Sequence, residues 1–250
     1  MNILTLTRFE VKKLVKQQSV RASYVLVCIL SVLFFLLNYT YRSADQYSGI
    51  TLIMETLQVL HSILFILPVI AIILTVATLS WEQYSGTLGS LLTRPVSREN
   101  VIVSKFLALF CVIGSLYYLA FVCAMVLGLR WGYGGEFLSF LPRGVLIFFE
   151  YILGTMIFVS IVCVIAFFVF NHLLCLLLSV GVYGAWLLVE SFEQVRPYLF
   201  SYHVYTITQL MEAHLIDYTE LLQSQVVILL YLLGIMFLVT TLWEKRDLRV

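Results

Sequence analysis

Charge is what this chain has least of. Of its 250 residues only 12% are Asp, Glu, Lys or Arg, while 62% are hydrophobic and the mean hydropathy is +1.01. A soluble domain carries about 25% charged residues. Half that share, with several apolar runs of 17 or more residues, excludes a soluble globular domain and points to a polytopic membrane protein. The net charge of +1 excludes an electrostatic case for nucleic acid or an acidic partner. Cysteine is sparse: Cys28, Cys111, Cys123, Cys163 and Cys175 all lie in apolar runs without C-x-x-C spacing. They read as small buried hydrophobes, not as metal ligands or disulfide partners. The sequence also lacks G-x-x-x-x-G-K-S/T, which cradles phosphates, and has neither H-E-x-x-H nor G-x-S-x-G. His61, His172, His203 and His214 lack metal spacing. The expectation is a chain without catalytic residues, metal or cofactor of its own, and without a signal peptide or internal repeat.

What is present is organised around membrane spans. Residues 3–18 read as an interfacial amphipathic helix, with Ile3, Leu4, Val11, Leu14 and Val15 on one face and Lys12, Lys13 and Lys16 on the other. Phe9 interrupts the polar side. Six apolar runs follow, at 23–41, 59–79, 106–127, 145–170, 173–189 and 226–243. Each is near the ~20 residues a helix needs to cross the hydrocarbon, and lipid admits only helices or closed barrels. Only Asn171 and His172 separate the fourth run from the fifth, which predicts a tight hairpin. Eleven of the fifteen Lys and Arg residues fall on the side holding both termini and 81–105, so that side is cytoplasmic by the positive-inside rule.

Three further features stand out. The outer segment 190–224 mixes aromatics and acids, and reads as a pair of short re-entrant helices before the sixth span, against the blander reading of a surface loop whose aromatics form an interfacial belt. Glu150 lies inside the fourth run, where a carboxylate costs roughly 2.5–3.5 kcal/mol unless it meets water, a partner or a proton. It is a candidate for the translocation path or a partner of Arg143, against the blander reading of a carboxylate snorkelling to the interface. Pro68 in the second span is a candidate bend. Gly114, Ser115, Gly154, Gly181 and Gly184 are small enough to allow close helix approach.

The polar insert between spans two and three carries the most specific pattern. Ser85 or Thr87 can cap a short helix, Leu88, Leu91 and Leu92 recur on one side, Pro95 stops it, and Ser97 caps the next. The full pattern Glu82-x-x-x-Gly86-Thr87-Leu88-x-x-Leu91-Leu92-x-x-Pro95-Val96-Ser97-Arg98 resembles the coupling-helix region of ABC-2 type transporter permeases. The resemblance implies a single transmembrane domain over 1–250. Its parts are an interfacial helix (1–21), six transmembrane helices, a cytoplasmic coupling segment (81–105) and a re-entrant outer segment (190–224). It also implies two separate ATPase subunits that bind ATP and Mg, and a second permease, identical or not, in a dimer. Glu82, Gly86, Thr87, Leu88, Leu91, Leu92, Pro95 and Arg98 would then face or frame the ATPase, in the inner membrane of a cell exporting a hydrophobic or amphipathic cargo. The rival reading is an ATP-independent scaffold or secondary carrier, for which inverted repeats and interrupted helices would be expected.

Overall fold

The computed structural model describes residues 3–41, 60, 66–84, 98–130, 137–212 and 217–244. Among them are eight α-helices and no strand: α1 (Ile3–Lys16), α2 (Gln18–Tyr41), α3 (Ile66–Tyr84), α4 (Arg98–Arg130), α5 (Phe137–Phe168), α6 (His172–Glu190), α7 (Phe200–Glu212) and α8 (Tyr218–Glu244). A single 3-10 turn, Arg196–Tyr198, precedes α7. Five stretches are long and apolar enough to span: Gln18–Leu37, Asn100–Leu127, Leu141–Phe168, His172–Glu190 and Tyr218–Glu244. The chain is therefore a multi-pass helical membrane protein. The apolar part of α3, Ile66–Ser80, is shorter, and most of the predicted span before Ile66 lies outside the described residues.

Burial sorts the helices into a centre and a periphery. In α5 72% of the apolar window is buried, against 22% in α2 and 17% in both α6 and α8. The α5 helix packs against α3, α4, α6, α7 and α8. Phe148 meets Phe121 of α4 with ring centroids 4.7 Å apart, and Ile152, Met156 and Val159 share one buried core with Leu109 and Ile113 of α4. Because a protein interior is packed as densely as an organic crystal, such contacts place the helices to within fractions of an ångström. Two side-chain bonds fix the register: Tyr117 to Thr155 between α4 and α5 (2.6 Å), and the Trp243 indole N–H donating to the Cys163 carbonyl (3.4 Å).

Local chemistry sets the helix ends. The Asn171 carboxamide oxygen accepts from the N–H groups of Leu173 (3.0 Å) and Leu174 (3.3 Å), so α5 and α6 are two helices joined by a capped hairpin. Asp217 likewise accepts from the N–H groups of Thr219 and Glu220. This cap starts α8 at Tyr218, eight residues before the predicted 226. The first turns of α8 are polar, and hydropathy alone passes over them. Where the sequence predicts a pair of short helices, the described residues of 190–217 form one 13-residue helix and a 3-10 turn. Phe200, Val204, Ile207 and Met211 bury one side of α7 against α5 and α8.

The face of α1 differs from the expected one. Its buried residues are Leu6, Glu10 and Leu14, while Leu4 is 72% and Val15 46% exposed. The side that packs within the chain thus carries Glu10 between Leu6 and Leu14, while Leu4 and Val15 stay on the outward edge. At Gly181 and Gly184 nothing among the described residues lies within 4 Å of an added Cβ, so they mediate no close approach there. Gly154 does, since its Cβ would meet Val204 at 3.1 Å.

Candidate functional site

The turned face of α1 has a specific cause. Glu10 and Lys105 are each 1% exposed, and Glu82 is 4% exposed. Ions removed from water at that depth cost several kcal/mol each unless paired and hydrogen-bonded. Here they are paired. The Lys105 ammonium donates to Glu82 at 2.7 Å and to Glu10 at 3.1 Å, and Lys13 donates to the other oxygen of Glu82. Two lysines and two glutamates make a neutral cluster. Lys13, 35% exposed in its side chain, forms the one corner that reaches the surface.

The positions of these four residues matter more than their number. Glu82 lies in the last turn of α3 and Lys105 in the second turn of α4, so their bond closes the two helix ends that flank 85–97. Glu10 and Lys13, one turn apart on α1, bind the amphipathic helix onto that closure. Around them pack Leu14, Val20, Leu79 and Ile102. The cluster therefore stiffens one pole of the bundle, where the end of α3 and the start of α4 meet α1.

Of the candidate residues at this pole, Glu82 is placed in the cluster and Arg98 is the first residue of α4. Gly86, Thr87, Leu88, Leu91, Leu92 and Pro95 lie outside the described residues. Glu10, Lys13 and Lys105 were not among the candidates. Glu10 is 72 residues from Glu82 in sequence, and a lone acid on a basic amphipathic helix reads as solvated. Lys105 looked like an ordinary positive flank of a span. The available signal was an acid on α1 one turn before a lysine, with Glu82 and Lys105 bracketing the insert.

Glu150 is 5% exposed on α5, and the side chain of Gln225 on α8 hydrogen-bonds to it. It is buried between helices of its own chain, not directed along the surface. Pro68 is buried in the first described turn of α3. Pro142 lies inside α5. Among the described residues no group of three or more His, Cys, Asp or Glu side chains comes together as a metal site would require.

A family model described as "ABC-2 family transporter protein" matches residues 6–186, which run from α1 through most of α6 and include all four members of the cluster. No curated protein matches the chain.

Proposed function

From the premise that the chain belongs to the ABC-2 family of transporter proteins, we propose that it is a permease subunit whose 85–97 segment is the coupling element. Separate ATPase subunits, two per assembly, bind ATP and Mg and press on that element. A second permease completes the path, and the cargo is a hydrophobic or amphipathic molecule moved outward. The single observation supporting this is the Glu82–Lys105 bond with Glu10 and Lys13 locked onto it. A push on a floppy loop is absorbed by the loop. A push on a segment whose two ends are tied together, and tied to a third helix, displaces α3, α4 and α1 as one body.

The reading carries the rest of the layout with it. The apolar run 59–79, to which α3 contributes, makes the sixth crossing. Both termini and the ion cluster face the cytoplasm of an inner membrane, and α7 sits at the outer pole. Leu88, Leu91 and Leu92 dock on the ATPase, framed by Glu82, Gly86, Thr87, Pro95 and Arg98. Glu150 is the polar group met when α5 and α8 part, and Pro68 is where α3 bends. The test is co-purification. A P-loop ATPase encoded beside this chain is expected to be retained by the unmodified protein and by Glu150→Gln, and lost by Leu91→Asp. Retention by Leu91→Asp at full occupancy would remove the coupling assignment. It would favour the scaffold or ATP-independent carrier instead.

A further inference from the structure

The pole opposite the ion cluster holds a cavity of about 500 Å³. It opens where α5, α6 and α7 converge with the 3-10 turn, and its volume lies within the roughly 300–1,000 Å³ of small-molecule sites. Its walls are aromatic and mutually braced. Phe158 meets Tyr183 edge-on at 4.8 Å and Phe200 at 5.1 Å, and Trp186 lies 4.7 Å from Phe200. The Trp186 indole N–H donates to Ser201 at 3.2 Å, which ties α6 to α7 across the cavity. Gly154 lines it as well. A larger residue there would press into Val204 and Phe200 and take up the space.

Two charges of opposite sign line this apolar chamber, Glu190 and Arg196. Among the described residues no ion pair joins them. The Arg196 guanidinium is held over two rings, 5.8 Å from Tyr202 and 5.7 Å from Tyr205, and its Nε is buried without a hydrogen-bond partner among the described residues. A half-buried guanidinium with unused donors is prepared for a carboxylate or phosphate, which it grips through two parallel bonds. A carboxylate beside tyrosine and tryptophan faces suits an ammonium, through both charge and ring quadrupole. A simple anion would satisfy Arg196 and be repelled by Glu190. A simple cation would meet the reverse.

We propose that this cavity binds a zwitterionic amphiphile. Its anionic group sits on Arg196, its ammonium group on Glu190, and its apolar body lies along Phe158, Trp186 and Phe200. The chemistry is that of a phosphoethanolamine headgroup on acyl chains, and a soluble zwitterion of the amino-acid type shares it. The site is remote from the ion cluster and needs no ATPase, so it stands or falls apart from the coupling reading.

Trp186 is the reporter. The full chain, purified in a non-ionic detergent, is titrated separately with dihexanoyl phosphatidylethanolamine, dihexanoyl phosphatidylglycerol and O-phosphoethanolamine. The signal is the part of the tryptophan emission that Trp186→Phe removes. Saturable change with phosphatidylethanolamine, and at least tenfold weaker response to phosphatidylglycerol, is the expected result. Arg196→Gln weakens phosphatidylethanolamine tenfold or more, and Glu190→Gln brings the two lipids within threefold. If O-phosphoethanolamine alone saturates at the same concentration, the ligand is a soluble zwitterion; if it does not, the ligand is a lipid. Equal response to both lipids in the unmodified protein, or no saturable response to any of the three, overturns the proposal whatever the variants do.

Discussion

Replacing Lys105 with methionine isolates the cluster at the α1–α3–α4 pole. Methionine keeps most of the side-chain length, so the perturbation is loss of one buried positive charge. It leaves Glu10 without its 3.1 Å partner and removes the 2.7 Å partner of Glu82. Removing one member of a buried ion pair costs about 3–5 kcal/mol, because the remaining charge stays desolvated and uncompensated. At about 2–4 °C per kcal/mol for a chain of this size, that lowers the melting temperature by about 6–20 °C. The second arm is Glu10→Leu placed on top of Lys105→Met. The double variant restores charge balance and keeps the Lys13–Glu82 pair, so it should regain at least about 1 kcal/mol relative to Lys105→Met alone. Thermal unfolding of the detergent-solubilised chain, followed by tryptophan emission, measures both. Raising the salt from about 0.1 to 0.5 M should change little, since buried pairs are weakly screened. Hydrogen exchange should quicken in α1 and stay slow in α5. A loss below about 1 kcal/mol for Lys105→Met, or a double variant no better than the single, would show that these charges are solvated and that α1 is held by other means.

Three more outcomes follow from packing. Gly154→Val should cost about 1–3 kcal/mol by overpacking against Val204, whereas Gly181→Ala and Gly184→Ala, which meet nothing, should gain up to about 1 kcal/mol of helix propensity; thermal unfolding distinguishes the two cases. Asn171→Ala removes the cap that accepts from Leu173 and Leu174, and the same assay should register a loss of about 0.5–2 kcal/mol. The Cys28 and Cys123 sulfurs lie 3.9 Å apart across α2 and α4, so mild copper-phenanthroline oxidation should join them, and a proteolytic cut between the helices should then release no separate fragment; free fragments after oxidation would mean that α2 packs elsewhere.

Five of the six expected spans were legible because apolar run length is a local quantity, and lipid leaves the backbone almost no alternative to a helix. The 171–172 hairpin was legible for the same reason. What escaped was set by contacts distant in sequence. Glu10 and Lys105 are 95 residues apart, and nothing near either of them announces the other. Helical periodicity ranked α1 by the apolarity of its faces, yet the face it buries is chosen by a carboxylate. The early start of α8 depends on one Asp217 cap ahead of a polar turn. Gly181 and Gly184 look like packing glycines in any apolar helix, and only the arrangement of neighbouring helices shows that they meet no described residue of their own chain. The Glu190–Arg196 cavity is less legible still, because its walls come from α5, α6 and α7 and no short pattern joins them.

The amphipathic helix then takes on a different physical role. Had α1 only floated in the headgroup region, its lysines would have been interchangeable and its acid dispensable. With Glu10 buried against Lys105, and Lys13 bonded to the glutamate that ends α3, α1 becomes a strut across the base of two membrane helices. A rigid base changes what a force at 85–97 can do. The flanking helices cannot separate without exposing or orphaning buried charge, so rotation of the three helices together costs less than spreading them. Tilting of that unit against α5, whose contacts with it are largely apolar beside the Tyr117–Thr155 bond, is the motion this pole favours.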